Sequence, residues 1–464
     1  MRLTTPAIPK SILRVHALVL LCLSAPCLTA QKRTEKSSPP TQAELREGFL
    51  EVLPLPTAEQ RQRALHKLLG QRKARLGSWE QALHSLPFPP LPQRLDRGRP
   101  FEKTMPLDTG KTGMLDTKVD VYIPDGTAPE KGFALLIASH GSGGQGRHEM
   151  ATWIGFAKNA RMVILAASEQ KENQGYRFSE QERQTALSLL RWARLHLPID
   201  PDRVFAAGTS RGGHLTWDLA LRHPTIWAGI LPCIGGPRLA LQQGQNNLRL
   251  LPNLVGIPLH DFQGLKDDPG LIWNLRLAKK ELEGLGHKQL HFHFFPHLGH
   301  SFDLGNAGLE KFFAQTRRRS RPLSLQLASA RLSEARRSWV QIRGFSREVQ
   351  DALRLKVRAD AWKRMGQEER KRFAHQYVKE RTALVRARIL SLDPPTFRVK
   401  GTRVRKIRLL LPRWIWKGEK GAKIVIEYKG RKRRPKPKSD KFLYLSEFAT
   451  HLDFANAPVA YVDL

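Results

Sequence analysis

Cysteine is almost missing from this chain of 464 residues, which holds three. Two of them, Cys22 and Cys27, fall in an N-terminal stretch that reads as a leader, so Cys233 stands alone in the remainder. A mature chain with one cysteine has no internal disulfide, and its fold must be held by core packing. The same scarcity removes thiolate metal sites. No Cys/His grouping has ligand spacing either, so neither a metal nor a cofactor is expected. Long hydrophobic runs are lacking too. The apolar stretch Ala17–Leu23 is well short of the about 20 residues that a membrane-spanning helix needs, and Pro26 follows it. Arg2, Lys10 and Arg14 precede it, no acidic residue comes before Glu35, and the small Ala30 ends it. This is the pattern of a signal peptide over residues 1–30. The expectation is a secreted or periplasmic protein with no transmembrane segment in its mature chain.

Acidic residues are in short supply: 42 Asp+Glu against 78 Lys+Arg, a net charge of +36. The imbalance is steepest from Arg317 onward, with 39 basic and 14 acidic side chains. Such a surplus suits an anionic surface, such as a membrane or an acidic polysaccharide, and suits equally a solvated face that keeps the protein soluble. Nothing in its pattern specifies nucleic acid. With 41% hydrophobic residues interrupted by Gly/Pro turns the chain is globular, and its length exceeds one ordinary core.

Residues 31–60 are polar and Pro-rich and read as a tether. Leu65, Leu68, Leu69, Leu76, Trp79 and Leu83 then recur at helical spacing until Pro87, Pro89, Pro90 and Pro92 end the pattern. Residues 31–118 are therefore expected to be a tether, a helical appendage and a linker. From Val119 to about residue 316 strands alternate with helices. Phe133–Ala138 and Met162–Ala167 are continuous apolar runs, as strands covered on both faces require. Further strands are expected at Val204–Ala207, Ala228–Pro232, Ile257–Phe262 and Leu290–Phe295, with a helix over Glu180–Leu197. That alternation predicts an α/β class, a doubly wound and mostly parallel sheet. Residues 317–464 change character: strand-like runs at Val385–Ile389, Thr396–Val399, Ile407–Leu411 and Ile424–Tyr428, with a charged helical stretch over 347–380, predict a smaller, basic, strand-rich domain with a helical insertion. Trp414 and Trp416 read as its packing.

The chemistry centres on Gly208-Thr209-Ser210-Arg211-Gly212. This pentapeptide follows a strand and precedes a helical segment, Gly213–Arg222. A strand-to-helix turn sharp enough to expose a serine needs small neighbours, which the glycines supply. Three companions are expected in chain order. His140-Gly141-Ser142-Gly143-Gly144 follows an early strand, and its backbone N–H groups near Gly141 and Ser142, with that of Arg211, suit an oxyanion hole. An acid is expected in the loop after Ile257–Phe262, where Asp267 has Asp268 and Asp261 as rivals. A histidine is expected after Leu290–Phe295: His300, in a loop and flanked by Gly299, is preferred over His291, His293 and His297.

With those residues, 119–316 resemble the α/β-hydrolase superfamily, in its prolyl-oligopeptidase-like and polyhydroxybutyrate-depolymerase/feruloyl-esterase-like branch. The likeness is carried by His140–Gly144, Ile199-Asp200-Pro201-Asp202-Arg203-Val204, Gly208–Gly213, His223-Pro224, Gly264–Asp267 and Gly299-His300. It implies Ser210 as nucleophile, His300 as general base and then acid, and Asp267 as the orienting carboxylate. Arg211 departs from the more apolar residue usual after the serine and suits contact with an acidic substrate group. The implied function is a serine hydrolase of carboxylic esters. The short segment between Pro232 and Ile257 leaves little room for a cap, so an open site and polymer-linked esters are expected. Two other readings stand beside it: a serine peptidase of the prolyl-oligopeptidase type, and a non-catalytic hydrolase-fold module that binds an anionic polymer.

Overall fold

Side-chain alternation along single strands is what places a helical layer on each face of the central sheet. In the computed structural model, which describes residues 38–86, 89–91, 96–109, 113–168, 175–418 and 423–464, β3 (Phe133–Ser139) sends Phe133, Leu135 and Ile137 into one core and Ala134, Leu136 and Ala138 into another. β4 (Met162–Ser168) divides its residues in the same way. The first core is covered by α5 (Glu180–His196), α6 (Arg211–Arg222) and α7 (Pro269–Gly284), the second by α4 (Gly146–Ala160) and α8 (Leu309–Gln315). A strand buried on both faces cannot alternate polar and apolar residues, which is why these runs are apolar throughout.

Eight strands make up this sheet. With β1 (Phe101–Asp108), β2 (Met114–Tyr122), β5 (Ile199–Thr209), β6 (Gly229–Cys233), β7 (Leu259–Gly264) and β8 (Leu290–Phe295), the spatial order is β1-β2-β4-β3-β5-β6-β7-β8. β1 and β2 pair antiparallel, as do β2 and β4, and every later pairing is parallel. The parallel strands share one carboxyl edge. The loops after β3, β5, β7 and β8 all emerge there, which is the place where open α/β sheets hold their ligands.

The C-terminal part forms two five-stranded sheets. One has the order β10-β11-β14-β18-β17, from β10 (Arg336–Arg337), β11 (Val340–Phe345), β14 (Val404–Pro412), β17 (Lys438–Ser439) and β18 (Pro458–Asp463). The other runs β16-β15-β13-β12-β9, from β9 (Ser324–Ser329), β12 (Ala383–Leu392), β13 (Pro395–Thr402), β15 (Val425–Tyr428) and β16 (Arg431–Arg433). Their inner faces share a core around Trp339, Phe397 and Leu409, with Trp414 and Trp416 packed against it. The charged stretch at 347–380 contains α9 (Ala359–Arg364) and α10 (Gln367–Lys379).

Residues 31–60 are not simply a tether. α1 (Gln42–Val52) begins at a capping box in which Thr41 and Glu44 satisfy each other's backbone donors, and it buries Leu45, Phe49 and Val52. With α2 (Ala58–Gln71) and α3 (Leu76–His84) it shares a core with Tyr444, Leu445 and Phe448 of α11 (Lys441–His451). Apolar residues at i, i+4 and i+7 carried the signal, diluted by the prolines that flank the helix. The leader expected over residues 1–30 lies outside the described residues, and no helix among the described residues is long and apolar enough to cross a membrane.

Buried ion pairs fasten the strand-rich part to the hydrolase-like part. Arg183 bonds Asp218 at 2.9 Å and Glu334 at 3.2 Å, and Arg222 bonds Asp218 at 2.7 Å and also Glu334. Arg318 bridges Asp202 at 2.7 Å and Asp453 at 2.6 Å.

Candidate active site

Ser210 stands between β5 and α6 with φ 56° and ψ −109°, a conformation that a non-glycine residue rarely holds. Two close approaches keep it there. A Cβ on Gly212 would lie 1.8 Å from the Ser139 carbonyl oxygen, and one on Gly208 would lie 2.6 Å from the Gly212 backbone. The Ser210 N–H donates to the Cys233 carbonyl at 2.8 Å, and the His214 N–H donates to the Ser210 carbonyl at 3.0 Å. The turn is thus anchored to β6 on one side and continues into α6 on the other, leaving the hydroxyl at the carboxyl edge.

Two further loops of that edge meet it. His300 Nε2 lies 2.8 Å from Ser210 Oγ, and His300 Nδ1 lies 2.7 Å from Asp267 Oδ2. Asp267 is held in turn by Gln263 Nε2 at 2.8 Å and by the Asp268 N–H at 2.7 Å. Burial alone would raise the Asp267 carboxyl, but the bonds from the Asp268 N–H, His300 and Gln263 outweigh it and hold the group below the usual carboxylate range. Asp267 therefore stays ionised and fixes the tautomer of His300, with Nδ1 as donor and Nε2 free to accept from Ser210.

The rival residues have other work. Asp268 caps α7, its Oδ1 accepting the Leu271 N–H at 2.7 Å. Asp261 is buried on β7 against Trp217 Nε1 at 2.9 Å, and burial drives its carboxyl far upward. His291 and His293 are strand side chains of β8 stacked on His260. None of the bonds recorded for these residues reaches Ser210.

The loop after β3 lies against the elbow. A Cβ on Gly141 would stand 3.4 Å from the Thr209 carbonyl and 3.5 Å from Ser210 Cβ, ordinary contact distances, so the two turns are in van der Waals reach of each other. Ser142 lines the same cleft as Ser210. Arg211 is the first residue of α6, a position whose N–H is directed out of the helix end. Its side chain does not point toward a substrate. The guanidinium is buried and bonded to Glu182 at 2.9 Å, while Glu182 also closes the capping box of α5. The expected contact between Arg211 and an acidic substrate group is thereby overturned: the charge is needed inside, where Glu182 would otherwise be buried unpaired.

The cleft over Ser210 has a volume of about 520 Å³. It is open, with the His300 side chain 53% exposed, but one wall comes from an unexpected quarter. Besides Tyr176, Phe178, Arg238 and Trp273, Lys371 of α10 lines it. The helical insertion of the strand-rich part thus supplies part of the wall, beside Pro237, Arg238 and Leu239 of the 232–257 segment. No local sequence signal marks Lys371 or Arg238, because neither belongs to a motif. Gln263, just before the turn glycine of β7, was also missed.

A second buried acid lies behind the elbow. Glu149 of α4 accepts from Trp153 Nε1 at 2.8 Å, and burial raises its carboxyl to about 7. A raised folded value means that the folded protein binds this proton more tightly than the unfolded chain does. The stability is complete below the unfolded value near 4.5 and is lost as pH rises through about 7. Glu149→Gln keeps the acceptor and removes the ionisation, so it should raise stability at pH 8 by up to about 3 kcal/mol relative to wild type and change little at pH 4.5. Thermal melts of both proteins at the two pH values check this.

Among known proteins, no family model matches the chain, and no curated protein matches it. Solved structures do. A thermostable esterase aligns at 16% identity and TM-score 0.39, over 47% of this chain and 63% of that one. The fluorophosphonate-binding serine hydrolase FphF of Staphylococcus aureus aligns at 15% identity and TM-score 0.37, over 47% of this chain and 98% of that one. Dipeptidyl peptidase 4 of Porphyromonas gingivalis aligns at 12% identity and TM-score 0.37, over 46% of this chain and 35% of that one. The chain spans less than two thirds of the esterase and about a third of the peptidase. Its strand order, its doubly wound parallel sheet and the elbow after β5 give the chain an α/β-hydrolase fold, to which a strand-rich C-terminal part is added.

Proposed function

We propose that this protein is a serine hydrolase of carboxylic esters, with Ser210, His300 and Asp267 as its catalytic triad. The observation that carries the reading is the unbroken relay from Ser210 Oγ through His300 to Asp267, at 2.8 and 2.7 Å, on a strained elbow. His300 Nε2 takes the Ser210 proton as Oγ attacks the ester carbonyl, and the bond to the alcohol oxygen breaks as His300 returns that proton to it. Water then attacks the acyl carbon, gives its proton to His300, and the acid leaves as Ser210 recovers its own. Backbone N–H groups at Gly141, Ser142 and Arg211 hold the oxyanion. None of these steps calls on a cofactor or metal.

The open cleft suits esters attached to a polymer, and the leader pattern supports action outside the cytoplasm. Anionic contact is assigned to the outer face of the β16-β15-β13-β12-β9 sheet. There Arg386 stands opposite Lys400 and Arg388 opposite Arg398, all four exposed. Like charges directly across strands are destabilising; Glu427 already pairs with Arg398 at 2.8 Å, and an acidic polysaccharide laid on the face would relieve Arg386, Arg388 and Lys400. Retention on such a polymer should fall steeply with salt and weaken in Arg388→Glu; salt-independent retention would remove this part of the reading.

The test of the activity is turnover of 4-nitrophenyl esters beside the corresponding 4-nitroanilides. Ester turnover that exceeds anilide turnover is expected. Efficient cleavage of the anilides would make the protein a peptidase, and no turnover of either, with polymer binding intact, would make it a binding module.

A further inference from the structure

Two cations line the Ser210 cleft without a carboxylate partner among the described residues: Arg238, in the loop after β6, and Lys371, on α10. Each is held by an aromatic ring. The Arg238 guanidinium lies over Phe178 at 5.4 Å from the ring centroid, and the Lys371 ammonium lies over Trp273 at 5.3 Å. A ring positions a cation through its face while leaving the N–H donors open to a ligand, whereas a carboxylate would consume them. The acids nearby are already committed. Asp267 serves His300 and Asp268 caps α7. Glu368, one turn earlier on α10, accepts from Trp273 Nε1 at 2.8 Å and lies 4.0 Å from Arg372. Both cations are half-buried, so part of their hydration is already lost. An anion entering the cleft meets fixed donors rather than free water.

We propose that the cleft selects esters bearing a carboxylate, which Arg238 and Lys371 bind while Ser210 attacks the ester carbonyl. This rests on the serine-hydrolase reading and names its substrate class. It also gives the strand-rich part a role at the site, because α10 delivers one of the two cations. α10 is tied to α7 by His375, 2.9 Å from Glu281, and by Lys379, 2.8 Å from the same carboxylate. These bonds fix Lys371 relative to the helix that carries Trp273.

Two matched pairs of esters test the proposal on the full chain. The first is 4-nitrophenyl hydrogen glutarate against 4-nitrophenyl valerate, with the charge on the acyl side. The second is 4-carboxyphenyl butyrate against phenyl butyrate, with the charge on the alcohol side. In at least one pair the charged ester should have a kcat/KM about 10-fold or more above its neutral partner, mainly through KM, and the ratio should shrink as salt is raised. Arg238→Gln and Lys371→Gln should each lower that ratio about 5-fold, and Arg238→Lys should restore part of it. A ratio near one in both pairs, or a ratio that neither glutamine variant moves, overturns the proposal. If the neutral esters are still turned over, the serine-hydrolase reading survives that failure. If none of the four esters is turned over, both fall together.

Discussion

Ser210→Ala should lower kcat for a 4-nitrophenyl ester by about 10⁶-fold, to the level that the oxyanion donors and binding sustain without a nucleophile. The expectation follows from the geometry: the histidine relay ends on this hydroxyl, and no recorded bond offers His300 another. His300→Ala should cost a similar factor, since the two residues act as a unit, and the double variant should be little worse than either single one. The acids separate more sharply. Asp267→Asn leaves the shape intact but no longer fixes the His300 tautomer, and should cost about 10⁴-fold. Asp268→Asn retains a good helix cap and should stay within about twofold of wild type. A steady-state comparison of the four single variants measures all of this. A larger loss in Asp268→Asn than in Asp267→Asn would reassign the acid.

The largest stability effect is expected from Asp218→Ala. Asp218 is fully buried and bonded by Arg183, Arg222, Tyr176 Oη at 2.8 Å and Asn247 Nδ2 at 2.9 Å. Burial alone would raise the Asp218 carboxyl, but Arg222 and Arg183, with the hydrogen bond from Tyr176, outweigh it and hold the group below the usual carboxylate range. Removing it leaves two buried guanidinium groups sharing only Glu334, a loss of about 3–5 kcal/mol. Tyr176, which lines the cleft, would also lose its anchor, so turnover should fall along with stability. Urea unfolding of the variant measures the first effect; a midpoint unchanged from wild type would show that the network contributes nothing net.

Much of the catalytic edge was legible from local pattern. The elbow needs small residues at fixed offsets, and parallel strands covered on both faces must be apolar throughout, so both leave a mark on a short window of sequence. Asp267 against Asp268 was harder, because adjacent carboxylates differ only in which way the loop turns; the bond from Gln263 and the helix start at Pro269 decide it in the folded chain. Arg211 misled for a related reason. Its partner Glu182 lies on a different helix, and a buried ion pair has no local signature. β1 was missed although it opens the sheet, since its exposed antiparallel position allows the mixed run Phe101-Glu102-Lys103-Thr104. The wall contributed by α10 was equally hidden. Lys371 lines the same cleft as Ser210 because α10 is bonded to α7 through Glu281, which is a property of tertiary packing and not of any stretch of residues.

The most direct test of the central claim is covalent labelling of the purified full chain with a fluorophosphonate, followed by peptide mapping of the modified residue. One adduct is expected, on Ser210, that is absent from Ser210→Ala and strongly slowed in His300→Ala. A folded protein that takes up no label, or takes it up elsewhere with Ser210 unmodified, would contradict it.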